Sequence, residues 1–310
     1  MNVAGAGGGR GPVRTLVAGW FSFEGMGATA GDLMVRDLVC EWLEGVGRPY
    51  DVALAHPFTG GVDWRALDRA AYSHVIFACG PFGNGEPVTE FLERFAGSRL
   101  IGVNLTMLQP LDEWNPFDLL LERDSSVAAR PDLAFLGRAT RVPVVGIARM
   151  HEQPEYGARD LHLRANEATS RLIAGREMAA VTIDTRLDEA NAAGLRTAAE
   201  IESLIARMDV VVTARLHGMV LALKNGVPAV AIDSVAGGAK ITRQARVLGW
   251  PVVLTADTMT DDALGQAFEY CLSAEAKSLA ADVRDRARKA LVPLRKEFLA
   301  AFGNHEKRRP

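Results

Sequence analysis

The feature of this sequence that most constrains its fold is the alternation of short apolar runs with amphipathic stretches. The runs are RTLVAGW, DVALAHP, HVIFACG and RLIGVNL in the first half, and VPVVGIA, MAAVTID, DVVVTA, PAVAID and PVVLT in the second. Continuous Val, Ile and Ala, without polar alternation, is typical of parallel strands that are buried on both faces. Both halves therefore predict an α/β protein with two doubly wound, Rossmann-like domains and parallel sheets.

The length and the position of polar segments predict the domain boundaries. A chain of 310 residues exceeds the size of a single hydrophobic core. We predict a disordered Gly-rich tail over residues 1–12, an N-terminal domain over 13–138 and a C-terminal domain over 139–285. The last helix and tail, residues 286–310, are expected to pack back onto the first domain, with Pro293 starting or kinking the helix.

Composition excludes several classes of function. Lys and Arg number 35 against 38 Asp and Glu, a net charge of −3, which predicts no general affinity for nucleic acid. No apolar run approaches the roughly 18 residues that a transmembrane helix needs. Three widely spaced cysteines are typical of a reducing compartment. Because the apolar run LVAGWFSF is short and Glu24 follows it at once, we expect no signal peptide and a cytoplasmic location.

The stretch VVTARLHGMVLALKNGVPAVAID places polar residues where a buried strand passes into a helix. Ligands of open parallel sheets lie beyond the carboxyl ends of the strands, and the start of a helix favours an anion. Arg215 and His217 lie in this turn, and Gly218 is expected to permit close approach of a ligand. The structural alternative is that Arg215 pairs with a carboxylate and His217 caps the helix. Lys224, within the helix, is expected to face solvent.

This block, followed by Lys240, resembles the signature of the polysaccharide pyruvyl transferase family, which has an R-L-H-G turn, an apolar helix, G-V-P and a later Lys. The segments ATAGDLMVRDLV, VIFACGPFGNGEP and ERDSSVAARPDLAFL resemble other family motifs in the same order. The resemblance implies a GT-B-like fold with an inter-domain cleft. It also implies transfer of pyruvate from phosphoenolpyruvate to two hydroxyls of a sugar or glycoconjugate, without a cofactor. The N-terminal domain would serve the acceptor and the C-terminal domain the donor.

The resemblance also implies roles for the residues of the R-L-H-G turn. Arg215 would clamp the donor anion, His217 would be the general acid, and Leu216 would shape the pocket. A helix start disfavours a charged imidazole, whereas a bound dianion favours it, so we expect His217 to become a competent acid once the donor is bound. Lys240 would meet the phosphate, or else be a surface lysine.

Outside this turn the implied roles have structural alternatives. Asp32 is a candidate base for the attacking hydroxyl, or an acidic residue favoured by the helix dipole. Either Arg123 or Arg149 would supply a second anion clamp, and the sequence does not decide between them. Gly80, Gly83 and Asn84 would let the chain approach a ligand, or make a tight turn.

The sequence leaves two other functions open. One is a glycosyltransferase of the same architecture that uses a nucleotide sugar; it needs a ribose-binding carboxylate, for which Asp233 is the candidate. The other is a catalytically silent relative. The loop CGPFGNG, which has separated rather than consecutive glycines, favours the silent relative, whereas Arg215 and His217 argue against it.

Overall fold

The structure is a computed structural model that describes residues 14–191 and 193–303. The chain divides into two compact units between Thr140 and Arg141. Each unit contains a parallel five-stranded sheet with helices, which confirms the predicted two-unit α/β fold. The predicted tail over residues 1–12 lies outside the described residues.

The sheet of unit 1 has the order β2-β1-β3-β4-β5. Its strands are β1 (Arg14–Ala18), β2 (Tyr50–Val52), β3 (Tyr72–Phe82), β4 (Arg99–Met107) and β5 (Leu119–Leu121), and its helices are α1 (Ala30–Gly45) and α2 (Val88–Arg94). Its larger core cluster is aromatic and includes Phe23, Trp64, Phe77, Phe82, Phe91 and Phe95. Edge-to-face ring pairs in this cluster, such as Trp64 with Phe91, add to the stabilisation from buried area.

The sheet of unit 2 has the order β10-β9-β8-β6-β7. Its strands are β6 (Val144–Ala148), β7 (Ala179–Thr182), β8 (Val210–Thr213), β9 (Ala229–Asp233) and β10 (Val253–Thr255). Its helices are α3 (His162–Ala174), α4 (Ala198–Ile205), α5 (Leu216–Lys224), α6 (Lys240–Leu248), α7 (Asp261–Leu272) and α8 (Ala274–Gly303). The buried Val, Ile and Ala of β8 and β9 lie at the centre of an aliphatic core.

One feature of unit 2 follows from local helix geometry, and another from the contact between two helices. Thr197 and Glu200 form a reciprocal capping box at the start of α4, with the Glu200 amide donating to Thr197 Oγ1 at 3.1 Å. Lys224 is exposed, as the sequence predicts, and pairs with Glu202 at 2.7 Å.

The last helix, α8, begins at Ala274, so Pro293 lies inside the helix and does not start it. Its first half is anchored by Ala276, Ala280 and Val283, which are spaced along one face and buried. The contacts of α8 include α5, α6 and α7 of unit 2. Packing of residues 286–310 onto the first domain stays a prediction. Among the described residues, no helix is long and apolar enough to cross a bilayer.

Candidate active site

The two units have the same strand order when each is numbered from its own first strand, and this order fixes where a ligand is expected. In unit 2 the connections from the central pair, β6 and β8, run outward in opposite directions, to β7 and β9. Such a switch point leaves a crevice beyond the carboxyl ends of the two strands. The register aligns these ends, because Ala148 lies opposite Thr213. The segments that follow, which begin at Arg149 and Ala214, therefore enter the crevice side by side.

The turn after β8 is held by a threonine and a glycine that pack on each other. Thr213 Oγ1 accepts from the Arg215 amide at 3.0 Å and donates to the Arg215 carbonyl at 3.2 Å. A Cβ on Gly218 would lie 2.1 Å from Thr213 Oγ1, so only glycine fits there. The structure thus shows a packing contact between Gly218 and Thr213, and the ligand approach expected from the sequence stays a prediction.

The crevice is a pocket of about 640 Å³. Its ionisable lining residues are His151, Glu152, Glu155, Arg186, Arg215, His217 and Lys240. Leu216 also lines it, next to the exposed imidazole of His217 in the first turn of α5. Since no side chain caps α5, its first amides and its dipole add to the positive potential of the pocket.

Arg215 is the most enclosed of the pocket cations. Its side chain is 14% exposed, Nε donates to the Arg149 carbonyl at 2.8 Å, and Nη2 lies 3.5 Å from Asp184 Oδ1. Burial lowers the pKa of Arg215, and the Asp184 carboxylate partly opposes this effect. Nη2 is buried and makes no hydrogen bond within the described residues. An oriented guanidinium that keeps donor capacity is suited to a carboxylate or phosphate.

Lys240 reaches the same pocket from another element. It is the first residue of α6, and its ammonium lies 5.8 Å from the centre of the Tyr156 ring. Arg215, Leu216, His217 and Lys240 are thus brought together, although they come from two loops of the sequence.

The two arginines predicted as alternatives for the second clamp have partners of their own. Arg149 donates through Nη1 to the Asn166 carbonyl and to Ser170 Oγ, each at 2.9 Å, and only its backbone carbonyl meets Arg215. Arg123, in unit 1, donates to Asp132 at 2.9 Å, and this bond raises the pKa of Arg123. In unit 2 the second arginine of the pocket is Arg186, which no sequence pattern indicates.

The remaining candidates lie in unit 1. Asp32 is in the first turn of α1, where its Oδ2 accepts from the Thr29 amide at 2.7 Å in a capping box. Gly80 has a φ of +85°, and a Cβ there would lie 2.3 Å from Trp20 Cδ1. Asn84 is exposed, and its backbone amide donates to Gln109 Oε1 at 3.1 Å. Each of the three therefore has a structural role.

Sequence reasoning missed a buried carboxylate beneath the pocket. Asp184 is 5% exposed; its Oδ2 lies 3.2 Å from His151 Nε2, and its Oδ1 accepts from the Arg186 amide at 3.0 Å. The sequence signal that could have identified Asp184 is its position just after the apolar run AAVTI, where β7 ends. His151 is visible in the sequence only as a histidine that follows a strand.

Two parallel sheets of the same strand order, one with a cationic pocket at its switch point, define a Rossmann-like α/β protein with two units. Within it, residues 153–234 match the family model described as polysaccharide pyruvyl transferase. The matched segment contains the R-L-H-G turn, so the resemblance noted in the sequence is confirmed there. No curated protein matches the chain in sequence.

Solved structures that are similar include glycosyltransferases. Spinosyn Forosaminyltransferase SpnP is 13% identical, with a TM-score of 0.35, over 93% of this chain and 99% of that one. The glycotransferase of kitacinnamycin is 11% identical, with a TM-score of 0.35, over 94% and 98%. MurG of Acinetobacter baumannii is 11% identical, with a TM-score of 0.29, over 88% and 95%. Architectures of this kind serve many different reactions.

Proposed function

We propose that the protein is a pyruvyl transferase that uses phosphoenolpyruvate to form a pyruvate ketal on a sugar or glycoconjugate. The observation that carries this proposal is the position of Arg215, Leu216 and His217. They line the switch-point pocket of unit 2, within the segment that matches the pyruvyl transferase family.

The charges of the pocket support a small polyanionic donor. Phosphoenolpyruvate has a carboxylate and a phosphate on adjacent atoms, and Arg215 is suited to either group. We assign the phosphate to Lys240, with Arg186 as the other cation of the lining. The first amides of α5, which no side chain of the described residues caps, would add hydrogen bonds to an anion in the same place.

Proton transfer to carbon is assigned to His217. The methylene of the donor must become a methyl group, which requires an acid next to that carbon. A histidine supplies such a proton near neutral pH. The imidazole of His217 is exposed to the pocket and lies one residue from the Arg215–Leu216 pair that would hold the donor.

The acceptor is assigned to unit 1, as the family resemblance implies. A pocket of about 510 Å³ in unit 1 supports this assignment, because its lining includes the carboxylates of Glu24, Asp63 and Glu86 beside apolar Phe23 and Met26. Carboxylates accept hydrogen bonds from sugar hydroxyls, and an apolar surface suits the face of a sugar ring.

Asp233 argues against a nucleotide-sugar transferase. Its side chain is 1% exposed, and Oδ2 accepts from the amides of Ala239 and Thr242 at 2.7 and 2.9 Å. A carboxylate that closes the loop before α6 in this way is not available to a ribose. We further propose a cytoplasmic location, which the three unpaired cysteines support.

Donor binding tests the proposal. Phosphoenolpyruvate and, separately, common nucleotide sugars are titrated into the protein while the ligand is followed by ³¹P NMR. We expect binding of phosphoenolpyruvate at millimolar concentration or below, and an affinity about tenfold or more weaker in Arg215→Gln. Lys224→Gln, which removes an exposed charge from the far end of α5, is the control. No donor binding overturns the proposal, nucleotide binding favours the glycosyltransferase, and silence from both favours an inactive relative.

A further inference from the structure

The pocket contains a second imidazole, His151, whose surroundings differ from those of His217. His151 lies three residues after the end of β6, and its side chain is 44% exposed. Its Nε2 lies 3.2 Å from Oδ2 of the buried Asp184. We infer that His151 is the base that removes the proton from an acceptor hydroxyl, and that Asp184 positions it. This inference rests on the proposed function.

The proton balance of the proposed reaction provides a task for such a group. Phosphoenolpyruvate and two hydroxyls give the ketal and hydrogen phosphate. Two C–O bonds form at the central carbon, the bond from that carbon to the phosphate oxygen breaks, and the C=C bond becomes C–CH₃. Of the two hydroxyl protons, one is balanced by the new C–H bond and the other leaves with the phosphate. A proton is therefore delivered to carbon and protons are removed from oxygen, and a base beside His217 lets these two kinds of transfer proceed on separate groups.

The contacts of Asp184 are suited to orienting a base. The carboxylate is almost fully buried, and the Arg186 amide holds its Oδ1 at 3.0 Å, so the oxygen that faces His151 is fixed. A carboxylate on one imidazole nitrogen sets the orientation of the ring and stabilises the charged imidazole that forms on proton uptake. With Nε2 against Asp184, Nδ1 is the nitrogen that remains for a hydroxyl.

Asp184 also connects the base to the donor clamp. The same Oδ1 lies 3.5 Å from Arg215 Nη2, so one buried carboxylate contacts both Arg215 and His151. The other ionisable groups in the lining are Glu152, Glu155, Arg186, His217 and Lys240. Of these, Glu152 and Glu155 are the competitors for the role of base.

A second histidine–carboxylate pair in unit 2 provides a matched control. His162 Nδ1 lies 2.8 Å from Asp160 Oδ2, but this imidazole is only 19% exposed and does not line the pocket. Asp160 also accepts from the amides of Gln153 and His162, as expected of a carboxylate that closes a loop. Loss of this imidazole should leave the chemistry unchanged.

The experiment compares His151→Gln, Asp184→Asn, their double variant and His162→Gln at saturating phosphoenolpyruvate. We expect kcat to fall about 10²-fold or more in His151→Gln, with donor affinity within about threefold of wild type. Asp184→Asn should lower kcat by a similar factor and the double variant no further, because the two residues act as one unit. The fall of kcat at low pH, where the base is protonated, should disappear from the residual activity of His151→Gln.

The outcomes separate this inference from the proposed function. If the wild-type protein binds no phosphoenolpyruvate, both are overturned. If the wild type turns over and His151→Gln keeps its rate or its low-pH limb, only the role of His151 is overturned, and Glu152→Gln and Glu155→Gln then identify the base. Additive losses in the double variant overturn the positioning role of Asp184. A fall of kcat in His162→Gln as large as in His151→Gln would indicate a general structural effect and would also overturn the inference.

Discussion

The two sheets of this protein have the same strand order, yet the switch point of unit 2 forms a pocket with cationic residues, whereas that of unit 1 is filled by a tryptophan side chain. In unit 2 the crevice between β6 and β8 is a pocket lined by Arg215, His217 and His151. In unit 1 the corresponding strands are β1 and β3, and Trp20, which follows β1, packs against Gly80. The indole donates to the Pro81 carbonyl at 2.9 Å and its ring lies 6.1 Å from that of Phe77. Topology thus provides the same crevice in both units, and the residues at the strand ends decide whether the space between the two central strands is open or filled. The acceptor pocket of unit 1 is lined by other residues that follow its strands.

The polar groups near the carboxyl edge of unit 1 are also engaged with one another. Asn104 Nδ2 donates to Asp132 Oδ1 at 3.1 Å and lies 3.4 Å from Cys79 Sγ, and Arg123 pairs with Asp132. Cys79 and Asn104 both have a positive φ, which is rare outside glycine. In unit 2, by contrast, the enclosed Nη2 of Arg215 makes no hydrogen bond within the described residues. The first network stabilises its own fold, whereas the second arrangement leaves a hydrogen-bond donor that the proposed ligand would use.

The largest expected effect comes from removing His217, the acid that we propose for the pocket of unit 2. His217→Gln should lower the turnover rate of ketal formation by about 10²- to 10⁴-fold, because proton transfer to carbon loses its donor. Donor affinity, followed by ³¹P NMR, should stay within about threefold, since Arg215 and Lys240 remain. The control is His74→Gln. His74 lies near the start of β3 in unit 1, and its replacement should keep full activity. An unchanged turnover rate in His217→Gln would contradict the proposal that His217 is the acid.

The second effect concerns the enclosed Cys79, near the filled switch point of unit 1, and its pH dependence. Burial raises the pKa of the Cys79 thiol to about 12. At pH 8 its thiolate fraction is then roughly a hundred- to a thousandfold below that of an ordinary cysteine, and each pH unit gained raises it about tenfold. Alkylation by iodoacetamide, followed by mass spectrometry, should label the half-buried Cys40 before Cys79. Equal labelling of both in the folded protein would contradict the enclosure of Cys79; urea should abolish the difference.

A third test disturbs the packing of Trp20 against Gly80 in unit 1. Gly80→Ala forces a Cβ against Trp20 in a backbone conformation that is strained for alanine, so the free energy of unfolding of unit 1 should fall by about 1–3 kcal/mol. Gly60→Ala is the matched control, because Gly60 has a φ of +87° and nothing lies within 4 Å of a Cβ there. Urea unfolding followed by tryptophan fluorescence measures both. Equal stability of the two variants would show that Trp20 moves aside without a cost in free energy. The difference between the filled and the open switch point would then lack support.

The smallest expected effect tests Asp32. Gln in the third position of α1 preserves the capping box but cannot act as a base, so Asp32→Gln should keep its turnover rate within about threefold of wild type. Asp32→Ala, which also loses the cap, should destabilise unit 1 by about 1 kcal/mol. If Asp32→Gln instead turns over about a hundredfold more slowly while it binds the donor normally, the base role that the resemblance implies would be restored.

The strands, the helix caps and the R-L-H-G turn are predictable because their signals are local. A strand that is buried on both faces reads as an apolar run, and the strand-to-helix passage at Arg215 is visible in a few residues. The roles of Gly80 and Gly218 were not predictable in this way. In sequence a glycine reads the same whether it faces a ligand or a neighbouring side chain, and here the neighbours are Trp20 and Thr213.

The sequence by itself determined a two-unit parallel α/β fold and a strand-to-helix turn at Arg215 and His217 that is suited to an anion. Only the tertiary structure decided which residues join that turn. Asp184 and His151 are 33 positions apart in the chain, and Arg149 is turned toward α3 although it directly follows β6. The reason is that neighbours at a switch point are chosen by the order in which strands pair. That order depends on long-range burial, which no local pattern of residues records.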